Sequence, residues 1–562
     1  MQSIQPTYLR AHSYFGFLES MLSPEALVQA AHDNGIHTLG LTDHHSLTGA
    51  IAFYEACQDA QIKPIIGLEL DLQFQNFSGR LTLLAKDRQG WSNLSALSSV
   101  ALTQTHPIQL QMLIEKKAGL ICLIGGPQGI LRKLIISSPL AMKGQDQLAE
   151  NLKESFGGDC FIEIQRYASG PLKYERDLIQ LSQTHKIPLI ASQNIHYLER
   201  KDQKIFRTLT AIRSNTTLHG LSRADLPEGE AYFPAYQDFT NRYQDLPEAI
   251  ENLQVLSDQC QLELPIGQTH YPQFPTPDGE SQSEFLRKKA YQGAKDKYGN
   301  LSEIIVERLG YELEIITRLG YEPIFLIVED VLNHARQLGI PTSSRGSAAS
   351  SLVAHCLNIT SPDPLALNLY FERFLNPARK KPPDIDTDID SNRREEVIQY
   401  VFDTYGKDRV AMVGTINRYR SKSALGDVAK VYGLSPETIR QLSKKLPSSF
   451  RFKRENETNN PFSPLLRVGT IHEIRDIVRD ATAILDFPRH LSVHPGGIII
   501  APFPMTDLIP IAYSPTLRVN HAQFDLEGIE KMGMVKIDLL GIRGLTVLGE
   551  VANRIQSWRI SE

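Results

Sequence analysis

In the stretch PPDIDTDIDSNRREEVIQYV, Pro382–Val401, Asp384, Asp386 and Asp388 recur at period two, interleaved with Ile385 and Thr387. On an extended strand, side chains at i and i+2 project to the same face, so Asp384 and Asp386 converge. Neighbouring carboxylates repel, and their ionised form is costly unless a cation lies between them. Hard divalent ions such as Mg²⁺ take oxygen ligands of this kind. Two plainer readings compete: an acidic surface loop, and a calcium loop of the D-x-D-x-D-G type. The second requires glycine for a sharp turn at the position held by Ile389.

Outward from this stretch, a further acid strengthens the catalytic reading. Asp538 lies in MVKIDLLG, Met534–Gly541, an apolar strand in which an unpaired carboxylate is expensive to bury. With Asp384 and Asp386 it suggests a two-metal phosphoryl-transfer site. Phosphates also need positive charge and backbone N–H groups. Ser344-Arg345-Gly346-Ser347, between a strand and a helix, offers main-chain donors at a helix N-terminus, although no GKS or GKT follows as in a Walker A loop. FERFLNPARKKPP places Arg373, Arg379, Lys380 and Lys381 just before the aspartates. Lys536, two positions before Asp538, shares its strand face. Cations flanking an acid-plus-metal site are what a triphosphate requires.

The first two hundred residues alternate short apolar strands with amphipathic helices. Ser23-Pro24-Glu25 opens a helix as cap, first-turn proline and dipole-compatible acid, and Gly35 closes it. His37–Thr42, Lys63–Leu70 and Lys186–Ser192 read as strands, and residues 47–61 as a helix. This alternation predicts a parallel sheet or barrel with ligands at strand ends. There, Asp43-His44, Glu69 and His196 follow strands, and His12 stands near the start. Converging His, Asp and Glu side chains can bind metals, though each alone is more commonly a hydrogen-bonded structural residue. A Pro-rich stretch, FPAYQDF through LPIGQTHYPQFPTPDGES, reads as a linker with short helices and puts a soft boundary near residue 275. Residues 283–338 read as helical, and residues 395–450 as helical and basic. Strands return at Gly496–Ala501, Leu508–Tyr513 and Met534–Leu540.

The composition bounds the rest. A chain of 562 residues, 41% hydrophobic and 22% charged, has the material for several globular domains. No window approaches about 20 uncharged apolar residues, and the N-terminus lacks an apolar signal core, so neither a membrane partner nor export is expected and a cytoplasmic location is. The five cysteines stand far apart without a CxxC pair, which predicts reduced thiols. The net charge of -5 hides a local excess: between Arg409 and Arg454 there are 11 Lys and Arg against two acids, Asp427 and Glu437. A solvated helical face is the plain reading, and a polyanionic partner the functional one.

At this point the sequence closely resembles a known family. Ser344–Val401 resembles the palm signature of bacterial DNA polymerase III alpha subunits, the C-family DNA polymerases. LRAHSYFGFLES and LGLTDHHSLTGA resemble that family's N-terminal PHP domain, and HLSVHPGGIIIA and GMVKIDLLGIRGLTVL its later palm segments. The resemblance covers essentially the whole chain with motifs in order. It implies a multidomain α/β fold: a PHP-type distorted β/α barrel, then a polymerase-beta-like nucleotidyltransferase palm with a helical thumb insertion. The implied division is a PHP domain at 1–205, a linker region with short helices at 206–282, palm at 283–414, thumb at 415–490 and palm again at 491–562.

The resemblance further implies a DNA-directed DNA polymerase using two Mg²⁺ ions. Asp384, Asp386 and Asp538 match the catalytic, metal-binding aspartates. Arg345, Gly346, Ser347, Arg373, Arg379 and Lys536 match positions lining the incoming triphosphate. Primer–template DNA, dNTPs and replisome proteins are the implied partners. Three departures stand out. Ser344 replaces the family's usual glycine, which would matter if that position takes positive φ. The PHP metal set is eroded: Arg10 and Arg80 stand where histidines are usual, Tyr167 replaces another, and Asn194 replaces an aspartate. His12, Asp43, His44, Glu69 and His196 remain, and two arginines beside a cation would repel it, so no PHP metal is expected. Finally, the chain stops at Glu562, before the family's fingers and C-terminal domains. That predicts a truncation, or a separate polypeptide carrying them. A non-catalytic DNA-binding or assembly protein on this scaffold is the main alternative, and a PHP phosphoesterase or 3'-5' exonuclease the weaker one.

Overall fold

A computed structural model describes residues 5–104, 106–137, 142–227, 229–376, 385–447, 460–466 and 472–561. The chain divides into two compact units, Met1–Leu264 with Ile416–Ser492, and Pro265–Thr415 with Val493–Glu562.

The first unit is built on eight strands: β1 (Thr7–Ala11), β2 (Thr38–Leu41), β3 (Lys63–Phe74), β4 (Phe77–Ala85), β5 (Ile108–Gln109), β6 (Leu120–Ile124), β7 (Cys160–Gln165) and β8 (Leu189–Ser192). They run in the order β1-β2-β3-β4-β6-β7-β8, with β5 paired to β3. Pairs β1–β2, β2–β3, β6–β7 and β7–β8 are parallel, and β4 is antiparallel to both neighbours. Beyond β8, Ile195 bridges back in parallel to Ala11 of β1, so the sheet nearly closes into a barrel. Continuous apolar strands such as LICLI suit this, because both faces of a barrel strand are covered. Helix Pro24–Asp33 begins as the sequence predicts, with the Ser23 hydroxyl accepting from Ala26 N at 3.1 Å. Gly40 is required where β1 and β2 approach: a Cβ there would lie 2.1 Å from the Leu9 carbonyl oxygen.

The basic segment after residue 415 packs its own core within this unit. Leu425, Val428, Phe462, Leu465, Ile477 and Val478 bury together with Leu209. Arg420, Lys422, Lys430, Arg440, Lys444 and Lys445 are exposed. One expectation fails here. Residues 395–450 are not continuously helical, because strand Val410–Arg418 intervenes between helices Arg394–Tyr405 and Ser421–Val431. Its apolar start, Val410 to Val413, is buried, and Gly414 packs against the Ala522 carbonyl. Sheet pairing, a long-range contact, overrides the local pattern.

The second unit opens with three helices, Gln282–Tyr298, Glu303–Leu319 and Glu322–Gln337. Seven strands follow: β9 (Thr342–Arg345), β10 (Asp386–Asp390), β11 (Val410–Arg418), β12 (Pro488–Ile500), β13 (Ile511–Ser514), β14 (Val519–Ala522) and β15 (Lys536–Ile542). Their order is β13-β14-β11-β12-β15-β10-β9. The core forms against the helices: Ile385, Ile389, Ile537, Leu539 and Ile498 are buried with Phe325 and Leu332. Alternation then sends Asp386 and Asp388 of β10, and Lys536 and Asp538 of β15, to the opposite face.

Candidate active site

Two acids remote in sequence meet through strand register. β10 and β15 pair in parallel with Asp386 directly opposite Asp538. Neighbouring strands lie about 4.8 Å apart, so the two residues face one solvent-side patch. Asp386 also pairs across with Arg345 of β9, and Asp538 with Gly497 of β12. Asp538 is 4% exposed, and Lys536 Nζ donates to its Oδ2. Its Oδ1 is buried and accepts no hydrogen bond. Burial, and next the neighbouring Asp538 carboxylate, push the Asp386 carboxyl above its ordinary range. Two facing carboxylates with one orphaned buried oxygen form a site suited to a cation.

The surrounding groups are divided between the carboxylates. Arg345 Nε donates to Asp388 Oδ1 at 3.0 Å. With Arg345 drawing Asp388 aside and Lys536 holding Asp538, the three acids do not bring one oxygen each within 4.8 Å of all the others. Gly346 takes φ +83, and a Cβ there would stand 3.8 Å from Asp386 Oδ2, so its bare backbone adjoins the patch. Ser347 lies in the 3-10 turn Gly346–Ser350, and Arg373 on the turn Phe371–Arg373, exposed. Asp384 and Arg379, with Lys380 and Lys381, lie outside the described residues. The concern over Ser344 is resolved by its place in β9 opposite Thr387, where its backbone does not take positive φ.

Glu312 was invisible to sequence reasoning, since it lies in the helical run EIIVERLGYELEIITRL. Wholly buried, it accepts from the amides of Leu352 at 2.9 Å and Val353 at 3.0 Å, from the Ser351 hydroxyl at 2.8 Å, and from Arg308 Nε at 2.7 Å. It thereby fixes the helix start that follows the Arg345–Ser347 loop. Glu312→Ala leaves those donors unpaired in the interior and is expected to cost about 3 kcal/mol of stability. Urea unfolding against the parent checks this.

The other predicted cluster, in the first unit, is dispersed among separate partners. Arg10 Nη1 donates to Glu163 Oε1 at 2.8 Å and Oε2 at 3.0 Å, while its Nη2 donates to Glu69 Oε1. Arg80 Nη1 donates to Glu69 Oε2 at 2.6 Å. The paired arginines hold the Glu69 carboxyl well below the usual range despite its burial. His12 stacks on His196 at 4.2 Å between ring centroids, and its Nε2 lies 2.6 Å from Asn194 Oδ1. Burial pushes His12 down to about 4. Asp43 accepts from the Ser13 amide at 2.6 Å and from its hydroxyl at 2.5 Å, and burial raises it to about 7. His44 points Nδ1 at Glu19 Oε1, 3.1 Å away. Glu163, missed by the sequence reading, carried the same signal as Asp538: an acid inside an apolar strand, CFIEIQ.

Comparison with known proteins accounts for both halves. The model of the PHP domain matches residues 8–167, and that of the bacterial DNA polymerase III alpha NTPase domain matches residues 284–541. The DNA polymerase III subunit alpha of Bacillus subtilis is 34% identical over 98% of this chain and 49% of its own length. Over nearly its whole length the chain is similar to bacterial DNA polymerase III alpha subunits.

Other DNA polymerase III alpha relatives agree. The subunit from Thermus aquaticus is 32% identical over 98% of this chain and 51% of its own, and an error-prone DNA polymerase from Symbiobacterium thermophilum 33% identical over 98% and 52%. The chain therefore spans about half the length of the curated relatives it matches. The nearly closed sheet of the first unit is the PHP domain, and the β10–β15 patch lies within the polymerase NTPase match. Among the described residues, no helix is long and apolar enough to cross a membrane.

Proposed function

We propose that this chain supplies the catalytic centre of template-directed DNA synthesis, in which a primer 3'-hydroxyl attacks the alpha-phosphorus of a dNTP. The new P–O bond joins primer and nucleotide, and the bond to the bridging oxygen breaks to release pyrophosphate. The observation that carries this reading is the direct opposition of Asp386 and Asp538 across parallel strands, with Asp538 Oδ1 buried and unpartnered.

Asp386, Asp538 and Asp384 would hold two Mg²⁺ ions. Bound magnesium supplies activation of the attacking oxygen and neutralises charge on the leaving group. The Lys536 ammonium pairs with the buried Asp538 carboxylate and holds its Oδ2 in place. Arg345, released from Asp388, the bare Gly346 backbone, Ser347, Arg373, Arg379 and Lys536 would receive the triphosphate. The exposed cations of the 416–447 segment would follow the phosphates of the primer–template duplex.

The test is single-nucleotide extension of a labelled primer by the chain alone and then with a separately supplied fingers polypeptide. Addition of the templated nucleotide, dependent on Mg²⁺, is expected. Duplex binding without addition at any Mg²⁺ concentration would overturn the reading in favour of a non-catalytic scaffold. Duplex affinity should also fall steeply with salt. Changing Lys444 and Lys445 together to Gln is expected to reduce the slope of log K against log salt by about 1 to 2, which fluorescence anisotropy measures.

A further inference from the structure

Arg10 and Arg80 are seated on Glu69 and Glu163, so protein cations neutralise that side of the expected PHP ligand set. Beside them lies a grouping that shares only His44 with that set and adds two residues outside it. Donor atoms of His44, His45 and Asp71 all fall within 4.8 Å of one another. His44 Nε2 is 3.3 Å, and His45 Nε2 3.4 Å, from the same Asp71 Oδ2. We propose that His44, His45 and Asp71 form a binding site for one divalent transition-metal ion of the zinc class.

The dimensions fit. An ion about 2.0–2.1 Å from each of several tetrahedral ligands leaves neighbouring ligand atoms about 3.3–3.4 Å apart. Two imidazoles and one carboxylate are a donor set for zinc and its neighbours, not for magnesium or calcium, which take oxygen.

The histidines are also presented correctly. His44 Nδ1 lies 3.1 Å from Glu19 Oε1 and Nε2 3.3 Å from Asp71 Oδ2, so an ion that displaces the Nε2 proton leaves Nδ1–H donating to Glu19 and the Nε2 lone pair on the Asp71 side. That Nε2 is buried and makes no well-aligned hydrogen bond, its nearest acceptor being Asp71 Oδ2 at 3.3 Å. A carboxylate orienting a histidine from its far nitrogen is the usual outer support of a metal ligand. His45 Nε2 accepts a long contact, 3.2 Å, from the Asp71 amide, which places its lone pair on the Asp71 side as well. The ion would replace that contact.

Backbone strain points the same way. Consecutive residues of a strand end normally face apart, but His45 takes φ +59 and lays its ring 3.8 Å from that of His44. The conformation is uncommon for a non-glycine residue. It is fixed by His45 N donating to Glu69 O at 2.8 Å and by the Ser98 hydroxyl donating to His45 O at 2.7 Å. Access exists, because Asp71 lines an open cavity of about 720 Å³ together with Arg80, Gln128, Arg132 and Lys133. The three protein ligands leave a fourth position for water or an anion drawn to those cations.

The test uses the full chain, stripped with a chelator and titrated with Zn²⁺ against a chromophoric competitor, then with Co²⁺. One ion per chain and the intense visible absorption of four-coordinate cobalt are expected. Asp71→Asn and His45→Asn are each expected to weaken binding about 100-fold or more, while His12→Asn leaves it unchanged. Asparagine tolerates the left-handed backbone at 45, and Trp91 fluorescence reports whether each variant is folded. If His45→Asn does not fold, Asp71→Asn alone decides. Absence of stoichiometric binding, parent-like affinity in folded Asp71→Asn, or equal loss in folded His12→Asn overturns the proposal.

Discussion

Asp386→Asn is expected to lower the rate of templated nucleotide addition at least about 1000-fold while leaving duplex affinity within about twofold. The substitution preserves shape and strand pairing opposite Asp538 and removes only the charge. A two-metal site would lose one of its charged ligands, and with it several kcal/mol of transition-state stabilisation, each 1.4 kcal/mol being tenfold in rate. Asp388→Asn is the internal comparison. Its carboxylate is already neutralised by Arg345 and lies opposite Leu540, so its loss should be at least tenfold milder. Rapid-quench single-turnover assays with saturating dNTP separate the two. Addition at parent rate by Asp386→Asn, or equal damage from Asp388→Asn, would remove the assignment of Asp386.

The largest stability effect belongs to Arg10. Its guanidinium is buried and bridges two carboxylates that are themselves buried, Glu69 and Glu163. Burial opposes its charge, but Glu163 and Glu69 together raise its pKa further. Arg10→Ala leaves Glu163 without a cation in the interior, which by comparison with broken buried ion pairs costs about 3–5 kcal/mol. Glu69 retains Arg80, so the loss falls mainly on Glu163. Urea unfolding followed by Trp91, 1% exposed within the PHP unit, should show the midpoint falling sharply. The double change Arg10→Ala with Glu163→Gln should recover part of the loss, because a neutral amide is cheaper to bury than an anion. A parent-like midpoint for Arg10→Ala would mean that the bridge contributes nothing.

The two residues illustrate how differently sites reveal themselves in a sequence. Asp386 and Asp538 were legible because each interrupts or alternates with apolar strand residues, and an acid in that setting needs a partner. The same rule would have found Glu163, had it been applied to CFIEIQ. Glu312 could not be found this way, since an acid in a helix that also contains exposed acids carries no signal until its face is known. Arg10 and Arg80 were legible as departures from the resemblance, but not the partners they take. Arg10 and Arg80 are neither vacant nor repelled, because two carboxylates from β3 and β7 receive them.

By itself the sequence determined what depends on near neighbours: which residues share a strand face, where Ser23 starts a helix, and that Asp386 and Asp538 lie on apolar strands. These follow from periods of two and 3.6 and from local hydrogen bonding, which need no distant partner. Only the tertiary structure decided that residue 386 sits opposite 538, that Val410–Arg418 is a strand, and that His45 turns beside His44. Register, ion-pair partners and left-handed turns are set by groups many residues away, whose distances no local pattern encodes.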